Sequence, residues 1–228
     1  MNSVGIISSI SYSQHEILDS IIKLHVPRGT IDCDPCFGSG RFYQRIPEPE
    51  YKYDLYPRRE DVIKCSCDKL PLADESIESI IYDPPFTCGS TNKGRQGVIK
   101  KSFSAYKNMD DLWKHYYDSM AEFYRCLKYK GVLIVKCQDT VSGGKNYFSH
   151  VAIMNFALGL GFYPLDLFVL MAKSRLIGNN MGNQQHARKY HSYFLVLKKD
   201  KLSIDYRHDR HRDSDREVVV SIIPNGVV

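Results

Sequence analysis

Apolar residues recur along the chain with two periods. Ile17, Leu18, Ile21, Ile22 and Val26 fall at three- and four-residue steps, which places them on one face of a helix. Ser13 and Glu16 stand ahead of this run with capping-box spacing, so the first helix is predicted to start at Ser13. Helical spacing returns in Leu112, Tyr116, Met120, Phe123 and Leu127, opened by Asp110 and Asp111. A third helix is predicted near 149–160, ending at Gly159 and Gly161. Elsewhere the apolar residues cluster in short strand-like runs, over 30–36, 51–55, 62–67, 79–83 and 132–135. Bounded by Pro, Gly or charged residues, these read as strands. Two last runs, 165–171 and 190–197, are close enough in sequence to pair as an antiparallel ribbon.

Strand-like and helix-like segments alternate from about residue 13 to about 172, which predicts βαβ units, a mostly parallel sheet and the α/β class. The 228 residues suffice for one sizeable core, and no internal repeat is present. One domain is expected over 1–198. The remainder, 199–228, reads as a solvated tail whose charges balance through 217, with a short edge strand over 218–223. No apolar run approaches the ~20 residues that span a bilayer, and the N-terminus lacks a basic segment followed by an apolar stretch. A cytoplasmic protein without membrane contact is therefore expected. Seven cysteines without a compact framework read as reduced thiols. The pairs Cys33/Cys36 and Cys65/Cys67 have metal-ligand spacing, but they lie in or beside apolar strand-like runs, so no metal is expected.

The first chemical signal is Asp34-Pro35-Cys36-Phe37-Gly38-Ser39-Gly40, a strand end followed by a glycine turn that lets a ligand approach the backbone, and then a predicted helix. Position 43 is Tyr, where a dinucleotide fingerprint has its third glycine, and no Gly-Lys-Ser/Thr follows for a phosphate loop. Asp54 ends the next run, 20 residues after Asp34, where a carboxylate can accept both hydroxyls of a ribose. Asp68 ends the third run and is placed to meet an adenine amine. Three acids at successive strand ends, beside a turn without phosphate-binding features, suit a ligand with a ribose, a base and a cationic centre. S-adenosylmethionine has all three.

Residues 79–82 run directly into Asp83-Pro84-Pro85-Phe86, whose two prolines hold the backbone extended beyond the strand. The order Asp-Pro-x-x-Gly-x-Gly, then isolated acids, then Asp-Pro-Pro-Phe resembles the DNA amino-methyltransferases, which modify adenine N6 or cytosine N4. The resemblance spans roughly residues 10–198. It implies a Rossmann-like methyltransferase fold: a seven-stranded, mostly parallel sheet with an antiparallel last strand and helices on both faces. It assigns Asp34, Pro35, Cys36, Gly38 and Gly40 to the methionine end of S-adenosylmethionine, Asp54 to its ribose, Asp68 to its adenine, and Ser13 and Gln14 loosely to its carboxylate. Asp83 adjoins the cofactor and acts as the catalytic acceptor. Its carboxylate and the Pro84 carbonyl draw the two hydrogens of the target amine and push the nitrogen toward tetrahedral geometry. Pro85 shapes the motif, and Phe86 stacks on a base extruded from its helix. Relatives acting on cytosine more often start this motif with Ser, so Asp83 favours adenine. The same motif occurs in RNA methyltransferases.

The net charge is +5, and the excess is localised. Residues 86–109 hold Lys93, Arg95, Lys100, Lys101 and Lys107 without an acid, and residues 172–191 hold Lys173, Arg175, Arg188 and Lys189 without an acid. Both segments are expected at the carboxyl edge of the sheet, where a phosphate backbone explains them better than solubility does. DNA is favoured over RNA as the polymer. Asn179, Asn180, Asn183, Gln184 and Gln185 add hydrogen-bonding groups suited to base edges. Residues 138–145, with Gly143-Gly144, read as a mobile flap. There is no long insertion for a separate target-recognition domain, so strong sequence preference is not expected unless a partner supplies it; a homodimer, a specificity partner or a non-specific modification enzyme fits. The alternatives are an RNA base methyltransferase and an inactive cofactor-binding scaffold. A dinucleotide oxidoreductase is disfavoured by Tyr43 and the proline motif.

Overall fold

The computed structural model describes residues 6–86, 106–173 and 185–200. Among these, the strands are β1 (Ile10–Ser11), β2 (Cys33–Asp34), β3 (Tyr51–Asp54), β4 (Ile63–Lys64), β5 (Ile77–Tyr82), β6 (Leu127–Cys137), β7 (Thr140–Ser142), β8 (Lys145–Tyr147), β9 (Phe162–Met171) and β10 (His191–Lys199). The α-helices are α1 (Gln14–His25), α2 (Met109–Cys126) and α3 (Ser149–Leu160).

One sheet has the order β1-β9-β10-β6-β5-β2-β3-β4. Only β10 runs against its neighbours, β6 and β9. The expected mostly parallel sheet with an antiparallel last strand is present, and the predicted ribbon is β9 with β10. An eighth strand is added by the two-residue β1, which pairs parallel to β9.

The central strands are buried on both faces, which is why they read as unbroken apolar runs rather than alternating ones. Alternate residues serve opposite sides. Ile80, Tyr82, Leu133, Val135 and Leu195 pack with Leu112, Tyr116, Met120 and Phe123 of α2 and Ile153 of α3. Ile81, Val132, Ile134, Phe194 and Val196 pack with Ile17, Leu18, Ile21 and Ile22 of α1. Each large side chain removed from water here contributes roughly 1.5–3 kcal/mol. Helices therefore cover both faces, and strand ends are left open along one edge.

Several local features differ from expectation. Ser13 caps α1, its hydroxyl accepting from the Glu16 amide at 3.4 Å. The return bond of a capping box is not made: Glu16 accepts instead from the Ser11 hydroxyl at 2.6 Å, and Ser11 accepts from the Ser13 amide at 2.9 Å. The helix expected after the glycine turn is a single 3-10 turn, Arg41–Gln44. Pro47 and Pro49 follow closely, and a residue before proline is pushed away from helical geometry, so there is no room for a longer helix. The expected flap is the hairpin β7–β8, closed by Gly143 and Gly144 at φ of 57° and 74°, the conformation of a two-residue type I′ turn. β10 runs one residue past the expected domain end at 198. The buried Lys199 ammonium donates to the carbonyls of Tyr124 and Leu127, at 2.7 and 2.8 Å, where α2 ends. The tail beyond 200 and its edge strand lie outside the described residues. No helix among those described is long and apolar enough to cross a membrane.

Candidate active site

Because β2, β3 and β5 are parallel and adjacent, their carboxyl ends bring Asp34, Asp54 and Asp83 to one edge of the sheet. A cavity of about 490 Å³ opens there, lined by all three acids and by the turn after β2. The turn is tied to β3 by two bonds: the Phe37 amide donates to the Tyr53 carbonyl at 3.0 Å, and the Gly38 amide to Asp54 Oδ2 at 2.8 Å. Asp54 Oδ1 accepts from the Tyr56 amide at 2.7 Å. Gly40 has φ +74°, and a Cβ placed on it would lie 2.9 Å from Cζ of Phe37. Glycine is required at this position on both counts. The Phe37 ring itself stacks on Tyr43, with centroids 5.3 Å apart, and the Arg59 guanidinium lies 5.1 Å from its centroid.

Asp34 is buried, its Oδ1 accepting from the Cys36 amide at 2.9 Å and its Oδ2 from the Tyr43 hydroxyl at 2.8 Å. Burial pushes its carboxyl up to about 7, against the lowering effect of these two donors. A carboxyl poised near neutrality responds strongly to a cationic ligand.

Asp83 shows a different asymmetry. Oδ2 accepts from Lys136 Nζ at 3.3 Å, whereas Oδ1 is buried and has no hydrogen-bond partner among the described residues. Burial raises this carboxyl above the usual range, and the Lys136 charge opposes the rise. Sequence reasoning missed Lys136. The available signal was a lysine inside the apolar run 132–137, which β6 buries on both faces.

The cavity is also lined by Cys36, Cys65, Ser66, Cys67, Tyr106 and His115. Cys67 Sγ lies 3.4 Å from His115 Nε2 and 3.4 Å from Ser119 Oγ. A hydrogen bond from Cys36, and then the one from His115, hold the Cys67 thiol below its ordinary range. The Tyr106 and His115 rings lie 5.0 Å apart. Ser66, Tyr106 and His115 were also missed.

Of the residues predicted to hold the cofactor, Asp34, Pro35, Cys36, Gly38, Asp54 and Asp83 line the cavity, as does Pro85 of the catalytic motif. Gly40, Pro84 and Phe86 are not part of its lining. Neither is Asp68, which sits behind Ser66 and is hydrogen-bonded to its hydroxyl. Ser13 caps α1 instead of reaching the cavity, and Gln14 Oε1 accepts from Lys136 Nζ at 3.0 Å. Arg188 is exposed, and Lys189 Nζ lies 5.8 Å from the Phe148 ring centroid. Lys93, Arg95, Lys100, Lys101 and Arg175 lie outside the described residues.

A family model described as DNA methylase, of N6/N4 methyltransferase type, matches residues 77–220. That span runs from β5 through Asp83 and Lys136 to beyond β10. No curated protein matches the chain. Similar solved structures include one described as a DNA modification methylase from Thermus thermophilus, complexed with S-adenosyl-L-methionine. It is 17% identical over 59% of this chain and 53% of its own, with TM-score 0.42. TrmN from Thermus thermophilus is 14% identical over 81% of this chain and 48% of its own, with TM-score 0.47. A SAM-dependent methyltransferase from Thermotoga maritima is 18% identical over 75% of this chain and 82% of its own, with TM-score 0.45. The chain spans about half the length of the first two.

Proposed function

Since this chain belongs to the N6/N4 DNA methylase family, whose methyl donor is S-adenosylmethionine, we propose that it methylates the exocyclic amine of adenine in DNA. The observation that supports this most is Asp83 Oδ1, a buried carboxylate oxygen without a partner among the described residues, on a cavity that also presents Asp34 and Asp54. An acceptor left unpaired in a buried site costs free energy unless a ligand donates to it. An amine hydrogen of the target base is such a donor.

The cavity fits the cofactor in size and in chemistry. A volume of about 490 Å³ lies within the usual range for small-molecule sites. The glycine turn gives close backbone approach, Asp34 offers a carboxylate to a cationic group, and Asp54 keeps lone pairs for ribose hydroxyls. Bound there, S-adenosylmethionine supplies an electrophilic methyl group. Asp83 Oδ1 and the Pro84 carbonyl accept hydrogen bonds from the two amine hydrogens, which localises the nitrogen lone pair otherwise delocalised into the ring; one of these protons is released once the nitrogen is methylated. Asp in place of Ser at the head of the motif favours adenine over cytosine. Exposed Arg188, with Lys189 nearby, supports a phosphate-backed substrate at the same edge.

The test is transfer of labelled methyl from S-adenosylmethionine to mixed-sequence duplex DNA, followed by digestion to nucleosides. N6-methyladenine is the expected product, lost in Asp83→Ala with cofactor affinity retained. Label in N4-methylcytosine, or in transfer or ribosomal RNA alone, would overturn the adenine-in-DNA reading.

A further inference from the structure

Lys136 joins three elements at the edge of the active site. The β5–β6 register sets Tyr82 opposite Val135, so the next residue of each strand brings Asp83 alongside Lys136. Nζ then reaches Asp83 Oδ2 at 3.3 Å and Gln14 Oε1, at the first residue of α1, at 3.0 Å. The ammonium also lies 4.9 Å from the ring centroid of Phe42 and 5.8 Å from that of Phe194, which is Lys136's register partner on β10. The side chain is 16% exposed. A lysine that only improved solubility would extend into water; this one is held between two aromatic rings with its charge directed inward.

We propose that Lys136 is a positioning residue for methyl transfer: by holding Oδ2 of Asp83 it turns Oδ1 toward the target amine and keeps the acceptor charged. The inference rests on the reading that Asp83 accepts an amine hydrogen. A carboxylate has two equivalent oxygens, and an unconstrained one rotates and presents either. With Oδ2 occupied, a single oxygen faces the substrate in a single orientation.

Charge gives the second half of the argument. Asp83 is faced by Lys136 from β6, by Asp34 from β2, by Cys137 from β6 and by Tyr116 from α2. Cys137 and Tyr116 are buried and pushed up, so they stay neutral, and the Asp83 charge contributes to holding Asp34 up. Among the described residues, Lys136 is the one positive charge at this carboxylate. Without it, burial acts toward protonation unopposed, and a protonated carboxyl is a weaker acceptor.

The test compares Lys136→Met, which keeps the stem between the rings, with Lys136→Arg, which keeps the charge. Single-turnover methyl transfer to duplex DNA is followed from pH 5.5 to 9. In Lys136→Met the rate at pH 7 is expected to fall about tenfold to a hundredfold, the factor for losing one hydrogen bond to a charged group. The acid limb of the profile moves to higher pH and the deficit narrows at pH 9, while Lys136→Arg restores the wild-type limb. Carbon-13 titration of the Asp83 carboxyl gives a readout that needs no substrate, and it shifts upward in Lys136→Met. An unmoved carboxyl titration, or a rate loss constant with pH, overturns the role of Lys136. Undiminished transfer in Asp83→Ala overturns the underlying reading instead, so the two failures are separable.

Discussion

The hydroxyl of Tyr43 donates to the buried Asp34 carboxylate at 2.8 Å. The residue that stands where a dinucleotide fingerprint has glycine thus anchors the most buried of the three acids that line the cavity. Tyr43 also stacks on Phe37, so the 3-10 turn and the glycine turn are held to each other through one phenol ring.

Tyr43→Phe keeps the ring and removes the donor. Leaving a buried carboxylate short of one hydrogen bond is expected to cost about 1–3 kcal/mol. The Asp34 carboxyl, already up at about 7, rises further. A raised carboxyl pKa contributes stability that is full below the unfolded value and lost as pH rises through the folded value. The deficit of Tyr43→Phe in urea denaturation should therefore be larger at pH 8 than at pH 5.

Cofactor affinity should follow the same carboxyl. If Asp34 pairs with a cationic group when ionised, affinity falls as pH drops below about 7, by about tenfold per pH unit at the limit. Calorimetric titration of S-adenosylmethionine between pH 5.5 and 8.5 measures this. Asp34→Asn should bind more weakly and lose the dependence; a slope that persists in the variant would place its origin elsewhere.

Gly40 and Gly143 form a matched pair. Both have positive φ, +74° and +57°, yet a Cβ meets Phe37 at 2.9 Å at the first and nothing within 4 Å at the second. Alanine at either should cost about 1 kcal/mol for the backbone conformation. Only Gly40→Ala should also displace Phe37 and weaken cofactor binding, read as a rise in Kd alongside the fall in Tm.

Arg188→Ala and Lys189→Ala should each lower DNA affinity uniformly across sequences. Each should also reduce the slope of log K against log salt by about 0.9 if it neutralises one phosphate. Filter binding from 50 to 200 mM KCl is the measurement.

The parts of this molecule that were legible in its sequence are those set by local pattern. Ile17 through Val26 marked α1, the apolar runs marked the central strands, and the acids at strand ends marked the cavity. What sequence reasoning missed depends on pairings across the fold. Lys136 meets Asp83 from 53 positions away, and only the β5–β6 register aligns them. His115 meets Cys67 from 48 positions away, across α2 and the β4 loop. Asp68 stands outside the cavity lining for a reason of phase: β4 ends at Lys64, so no regular alternation tells which residue beyond it faces inward, and Ser66 lines the cavity instead.

The place of β10 in the sheet bears on how the protein is made. It lies between β6 and β9, although among the described strands of the sheet it is the last to leave the ribosome. Until residues 191–199 emerge, β6 and β9 are two raw edges with a strand-wide gap between them, and such edges recruit other chains. Any pause in synthesis before residue 191 therefore leaves those two edges without the strand that closes them.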